Sequence, residues 1–162
     1  MAKITPNLWF GGDAEEAANY YVSLLPDSRV DHVYRAPADN PSTPAGAVLL
    51  VNFTVAGQPF TGVNGGPQFP FTEAVSFSID CEDQAEVDRL WDKLIEDGGK
   101  AGQCGWIKDR FGLWWQVVPR QMGEILSDPN AEGARRAMEA MLLMSKIDVD
   151  ELRRAFQGEL VR

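Results

Sequence analysis

Histidine is nearly missing from this chain, and cysteine is scarce. His32 is the one imidazole, and Cys81 and Cys104 are the two thiols among 162 residues. A structural zinc centre takes four ligands, usually all cysteine or cysteine with histidine. Three such residues cannot supply four, so the count excludes one. The cysteines form no Cys-x-x-Cys pair, and a cytosolic chain keeps its thiols reduced. A Ser-His-Asp set has a single histidine to draw on, and none is visible. Long apolar runs are also missing: nothing approaches the roughly 20 residues that span a bilayer. Met1-Ala2-Lys3-Ile4 shows no apolar h-region and no small-residue cleavage site, so no signal peptide is read and the cytosol is the expected compartment. Basic charge is short as well. Fifteen Lys and Arg stand against 24 Asp and Glu, a net charge of −9. Nucleic-acid backbones and anionic membranes are both bound through Lys and Arg, so neither partner is expected. An acidic surface suits solubility.

What is present is a repeat. Asp13-Ala14-Glu15-Glu16 and Asp83-Gln84-Ala85-Glu86 both read Asp-x-x-Glu. In each, the Asp is placed to cap a helix and the Glu to reach back, as in a capping box. The apolar residues that follow are in register: Ala17, Tyr20, Tyr21, Leu24 and Leu25 match Val87, Leu90, Trp91, Leu94 and Ile95. That i, i+3, i+4, i+7, i+8 stripe is an amphipathic helix. Pro26 stops the first helix and Gly98-Gly99 the second.

Alternating strands surround both helices. Residues 4–10 and 74–80 precede them, the latter setting Val75, Phe77 and Ile79 against Ser76 and Ser78. After the first helix, strands are read over 29–34, 47–55 and 58–63, the last two joined by a tight Ala56-Gly57 turn. After the second, strands are read over 105–108 and 113–118, with a weak one near 100–103 and a turn at Asp109-Arg110-Phe111-Gly112. The expected fold is therefore α+β, two βαβββ modules with a C-terminal helical tail. Residues 1–66 form the first module, 67–119 the second and 120–162 the extension. In the extension, a helical turn is read over 121–126. A helix from Asn130 or Ala131 to Met144 follows, with Ala134, Ala137, Met138, Met141, Leu142 and Met144 as its apolar side. A third Asp-x-x-Glu start, Asp148 to Glu151, opens the last helix. A methionine face adapts to the chain's own sheet or to a dimer contact.

Several strings occur in order: Phe10-Gly11-Gly12-Asp13-Ala14-Glu15-Glu16-Ala17, Leu25-Pro26-Asp27-Ser28, Val63-Asn64-Gly65-Gly66-Pro67, Cys104-Gly105-Trp106-Ile107-Lys108-Asp109 with Phe111-Gly112, and Trp115-Gln116-Val117-Val118-Pro119. With them the sequence resembles the PhnB-like branch of the glyoxalase, bleomycin-resistance and dioxygenase (vicinal oxygen chelate) superfamily. That branch often carries the label 3-demethylubiquinone-9 3-methyltransferase. The resemblance extends to Leu126-Ser127-Asp128-Pro129 and the methionine-rich helix. It implies paired βαβββ modules whose curved mixed sheets surround a cavity, usually as a homodimer. It implies much less about activity, because the superfamily includes metal-dependent isomerases and dioxygenases and metal-free drug-sequestering proteins.

Metal-dependent members hold a divalent ion with His or Glu on the first and last strands of each module. Carried over, those places fall near Pro6, between Ala74 and Ser76 with Glu73 just outside, at Thr61 or Asn64, and at Gln116. Neutral oxygens without a carboxylate or imidazole bind zinc, nickel or iron poorly. No metal and no cofactor are expected, and His32 reads as an ordinary strand histidine. The methyltransferase label meets a similar obstacle, since no G-x-G-x-x-G turn is present. The leading expectation is a small-molecule-binding protein. An enzyme, either the labelled methyltransferase or a lyase or dioxygenase-like catalyst with a non-standard metal site, is the alternative. An interaction module dimerising through the tail is the third. Ligand-binding candidates are Asn64, Phe69, Phe71, Cys104, Trp106, Lys108, Trp114 and Gln116, an aromatic and amide mixture suited to a small, partly aromatic ligand. Gln116 stands out as a polar group inside an aromatic stretch. Cys104 reads as a small strand thiol or, beside Lys108, an activated one. Lys108 with Asp109 reads as an anion anchor or a turn of solvated charges.

Overall fold

The structure, a computed structural model, describes residues 3–159. It divides into two units between Phe71 and Thr72. The first unit runs β1 (Asn7–Phe10), α1 (Ala14–Val22), β2 (Arg29–Arg35), β3 (Val48–Val55) and β4 (Gln58–Asn64). The second runs β5 (Phe77–Cys81), α2 (Gln84–Ile95), β6 (Lys100–Ala101), β7 (Trp106–Lys108) and β8 (Trp114–Pro119), then α3 (Arg120–Leu126), α4 (Ala131–Met141) and α5 (Val149–Gln157). Each βαβββ set makes one mixed four-stranded sheet, ordered β1-β4-β3-β2 and β5-β8-β7-β6. In both, the strand before the helix pairs parallel with the last strand of its set.

Alternation decides which face each helix covers. On β3 and β4 the residues Val51, Phe53, Val55 and Phe60 are buried, as are Ala14, Ala17, Ala18 and Tyr21 of α1. Tyr21 stacks on Phe53 and Phe53 on Phe60, with ring centroids 6.1 and 5.5 Å apart. In the second unit Val87, Leu90, Trp91 and Leu94 of α2 are buried together with Ile79, Ile107, Trp115 and Val117 of the sheet. Each of the larger aliphatic and phenylalanine side chains contributes about 1.5–3 kcal/mol by leaving water. The opposite faces of both sheets remain half-covered.

The capping expectation holds for α2. Asp83 Oδ1 accepts from Glu86 N at 2.9 Å, and Glu86 Oε2 accepts from Glu82 N at 2.8 Å. It does not hold for α1, where Asp13 makes no side-chain cap. Asn64 on β4 does that work: its Oδ1 accepts from Ala14 N at 2.9 Å and its Nδ2 donates to Val48 O at 3.0 Å. Helix α1 ends at Val22, before Pro26, and α2 passes into a short 3-10 turn at Glu96–Gly98.

The tail packs mainly on itself. Met144, Ile147 and Leu152 form a buried cluster with Met122, Ile125, Ala140 and Met141 around it. Helix α4 stops at Met141 instead of Met144, and Met138 and Leu142 of its expected apolar side are exposed. The chain from Met144 to Val149 is strapped to the rest of its unit. Met144 O accepts from Cys104 N at 2.9 Å, Ser145 O from Gly105 N at 2.8 Å, and Ser145 Oγ donates to Gly102 O at 2.6 Å. Gln84 bridges Ile147 O and Val149 N, both at 2.9 Å, and Lys146 pairs with Asp88 at 2.7 Å. That contact holds the Asp88 carboxyl below its usual range, first through the Lys146 hydrogen bond and then through that of Gln84. Gly105 has φ +83°, and a Cβ there would meet Val117 O at 2.9 Å and Ile147 Cγ1 at 3.1 Å, so glycine alone lets the strap lie close.

Candidate ligand-binding face

The uncovered face of the second sheet is built by three strands in register. Trp106 pairs with Gln116 and Lys108 with Trp114 between β7 and β8, and Lys100 pairs with Lys108 between β6 and β7. Directly opposed residues point to one face. The face therefore carries two rows, Lys100–Lys108–Trp114 and Trp106–Gln116–Ser78, the last pair from β5. Ring contacts agree: Trp106 and Trp114 meet edge-on at 6.4 Å, and the Lys108 ammonium lies 5.8 Å from the Trp114 ring centroid. Trp106, Lys108, Trp114 and Gln116 are all half-buried. Gln116 Nε2 donates to Ser76 Oγ at 3.0 Å, which leaves its Oε1 without a partner among the described residues.

Four of the eight sequence-derived candidates thus share one surface. Cys104 stands apart from them, in the turn before β7 and not in a strand, with φ +55° and its N–H held by Met144. Asp109 is a correction. It is neither solvated nor an anchor: the carboxylate is buried, Oδ1 accepts from Phe111 N and Leu113 N at 2.8 and 3.0 Å, and Oδ2 accepts from Trp115 Nε1 at 2.8 Å. The Asp-Arg-Phe-Gly turn folds around that side chain, so Asp109 serves the loop.

The other candidates belong to the first unit. Asn64 faces α1 and spends both amide ends on the cap and on β3. It borders a cavity of about 500 Å³ with Gly11, Gly12 and Thr43. Phe69 is exposed and lies edge-on to Trp9 at 5.0 Å, while Phe71 contacts Phe10 at 5.5 Å. Trp9 Nε1 donates to Gly66 O at 2.8 Å. The uncovered face of this sheet is polar over part of its extent, beside Trp9, Leu50 and Val63. Thr61 donates to Asn52 Oδ1 at 3.1 Å, Thr54 to Asp31 Oδ2 at 2.7 Å, and Arg29 Nε to Asp31 Oδ1 at 2.8 Å, bordering a concavity of about 700 Å³. Of these only Thr61 was named from sequence, as a carried-over metal place. His32 is exposed and packs edge-on to Tyr34 at 4.1 Å.

The donor set does not fit a superfamily-type metal. Pro6 offers no ligand atom, Glu73 is exposed before β5 begins, and Asn64 is committed on the helix side. Among the described residues no three His, Cys, Asp or Glu side chains gather. Cys81 lies buried on the α2 side of β5. Burial, helped by Glu86 and Asp80, pushes its thiol up to about 12, so it stays protonated.

Two mixed sheets, each covered by one helix and each formed as βαβββ, are the arrangement that the sequence resemblance implied. The chain belongs to the 3-demethylubiquinone-9 3-methyltransferase family, the PhnB-like group, whose family model matches residues 2–118. Among solved structures it is similar to the PhnB protein from Bacillus cereus, described as a candidate 3-demethylubiquinone-9 3-methyltransferase. The two are 33% identical with a TM-score of 0.66, over 73% of this chain and 99% of that one. It is also similar to protein PA1353 from Pseudomonas aeruginosa, at 23% identity and a TM-score of 0.59, over 74% and 98% of the two chains. No curated protein matches the sequence. The family match stops at residue 118, so Leu126–Pro129 and the methionine-rich helix lie outside it, unlike the reach of the sequence resemblance. No helix among the described residues is long and apolar enough to cross a membrane.

Proposed function

We propose that this protein binds a small, partly planar molecule on the open face of its second sheet, without help from a transition metal. What supports the reading is the convergence of Trp106, Trp114, Lys108 and Gln116 on one surface. Two indoles offer broad apolar contact at low entropic cost, and a few fixed polar groups orient a ligand. Ser76 holds the Gln116 carboxamide by its nitrogen, so the free oxygen is aimed to accept a hydrogen bond. The proposed assembly is a homodimer, as the family resemblance implies, and the proposed compartment is the cytosol.

Methyl transfer is a second reading, favoured by the family's description. The sheets here are mixed and antiparallel in their last three strands, and the strand–turn–helix at Gly11-Gly12 lacks the G-x-G-x-x-G pattern of a nucleotide cradle. Native mass spectrometry beside elemental analysis separates the readings. Protein without stoichiometric metal, carrying or accepting a small organic molecule, is expected. One tightly held transition metal per chain would overturn the reading. Micromolar binding of S-adenosylmethionine in calorimetry would favour methyl transfer.

A further inference from the structure

Lys100 and Lys108 stand directly opposite each other on β6 and β7. Opposed residues have Cβ atoms about 5 Å apart, and like charges in that position are destabilising. The chain carries a net charge of −9, so carboxylates are plentiful, yet neither lysine makes an ion pair among the described residues. Elsewhere Arg29, Arg110, Arg135, Arg136 and Lys146 do sit on carboxylates. Two unneutralised ammonium groups beside two indoles form a local positive field in an acidic protein, and such a field recruits an anion.

We infer that the molecule bound on this face is an anion, a carboxylate carried on an aromatic or conjugated ring system, held by Lys100 and Lys108. This rests on the binding face proposed above and names its ligand class. The rows set the size. Lys108 and Trp106 are two residues apart along β7, about 7 Å, which is the span of one or two fused rings. The ring lies on Trp106 and Trp114, the carboxylate reaches the lysine end of its row, and a donor on the ligand meets Gln116 Oε1. The Lys108 ammonium already lies 5.8 Å from the Trp114 ring centroid, so it gives up little freedom on binding. Without a ligand, Lys100 serves as a charged guard on an edge strand.

The test uses the full chain with 2-naphthoate and its neutral counterpart 2-naphthamide. Indole N–H signals of Trp106 and Trp114 are followed by NMR, assigned with Trp106→Phe and Trp114→Phe. Both compounds should move both signals, with the naphthoate about tenfold tighter, since each exposed ion pair adds roughly threefold. In Lys100→Gln/Lys108→Gln that preference should fall to about one while naphthamide binding persists. Equal affinity in the wild type, with both signals moving, would overturn the anion inference and leave the binding face standing. A preference that survives the double substitution would overturn the assignment to these lysines. No movement with either compound would overturn the binding face, and the inference with it.

Discussion

Asn64 caps a helix fifty residues away: its side-chain oxygen accepts from Ala14 N at 2.9 Å, while the same amide donates to Val48 O at 3.0 Å. One buried carboxamide therefore ties together the start of α1, the end of β4 and the start of β3. Replacing it with alanine removes the cap and leaves a buried N–H and C=O unpaired. Asn64→Ala should lose about 2–3 kcal/mol. Asp13→Ala, at the position that a capping box would use, should lose under about 0.5 kcal/mol. Urea unfolding of the two variants checks the order; equal losses would contradict it.

Asp109 holds a second local fold. Three N–H groups converge on its buried carboxylate. Asp109→Asn keeps one acceptor oxygen but turns an NH2 group toward a donor, either Trp115 Nε1 or the Phe111 and Leu113 amides. The expected loss is about 2–3 kcal/mol, with a change in the near-ultraviolet circular dichroism of Trp115. A variant as stable as wild type would show that the turn forms without the charge.

How much of this was readable beforehand follows from the range of each interaction. Helix α2 was legible because Val87, Leu90, Trp91 and Leu94 declare a period of 3.6 and Asp83 caps its own first turn. The strands were legible from alternation; Trp106, Lys108, Trp114 and Gln116 were named among eight candidates, and the register of β7 with β8 is what groups them. The capping role of Asn64 was illegible because its partners are 16 and 50 residues away, and no local pattern encodes such a contact. Asp109 misled because a carboxylate between Lys108 and Arg110 reads as solvated until Trp115 is seen to fold over it. Lys100 was passed over because β6 is two residues long; only its register with Lys108 reveals the pairing.

The two thiols should react differently. Cys81 is buried and its thiol is raised from 9.0 to about 12, whereas Cys104 sits half-buried in a turn. Thiolate is the reactive form. At pH 8 a maleimide should modify Cys104 in the folded protein and reach Cys81 only after unfolding. The sign for stability follows from linkage. The fold holds the Cys81 proton more tightly than the unfolded chain does, so this contribution is complete below about pH 9 and is lost as pH rises from there toward 12. Cys81→Ser should weaken that alkaline fall. Labelling of Cys81 before Cys104 would contradict the account.

Gly65 admits the Trp9 ring. A Cβ there would lie 2.1 Å from Trp9 Cζ2, so Gly65→Ala must displace the indole and break its bond to Gly66 O. A loss of about 2 kcal/mol is expected, reported by thermal unfolding and by a shift in the Trp9 indole signal. An unmoved Trp9 would show that the loop yields instead.

The central claim is that the open face of the second sheet binds small molecules. Its most direct test is an NMR fragment screen on the full chain, reading the indole N–H signals of all five tryptophans at once. The account predicts that hits move Trp106 and Trp114 together, and that Gln116→Ala weakens the hits that carry a hydrogen-bond donor. Hits that move Trp9 alone, or none that move Trp106 and Trp114, would contradict it.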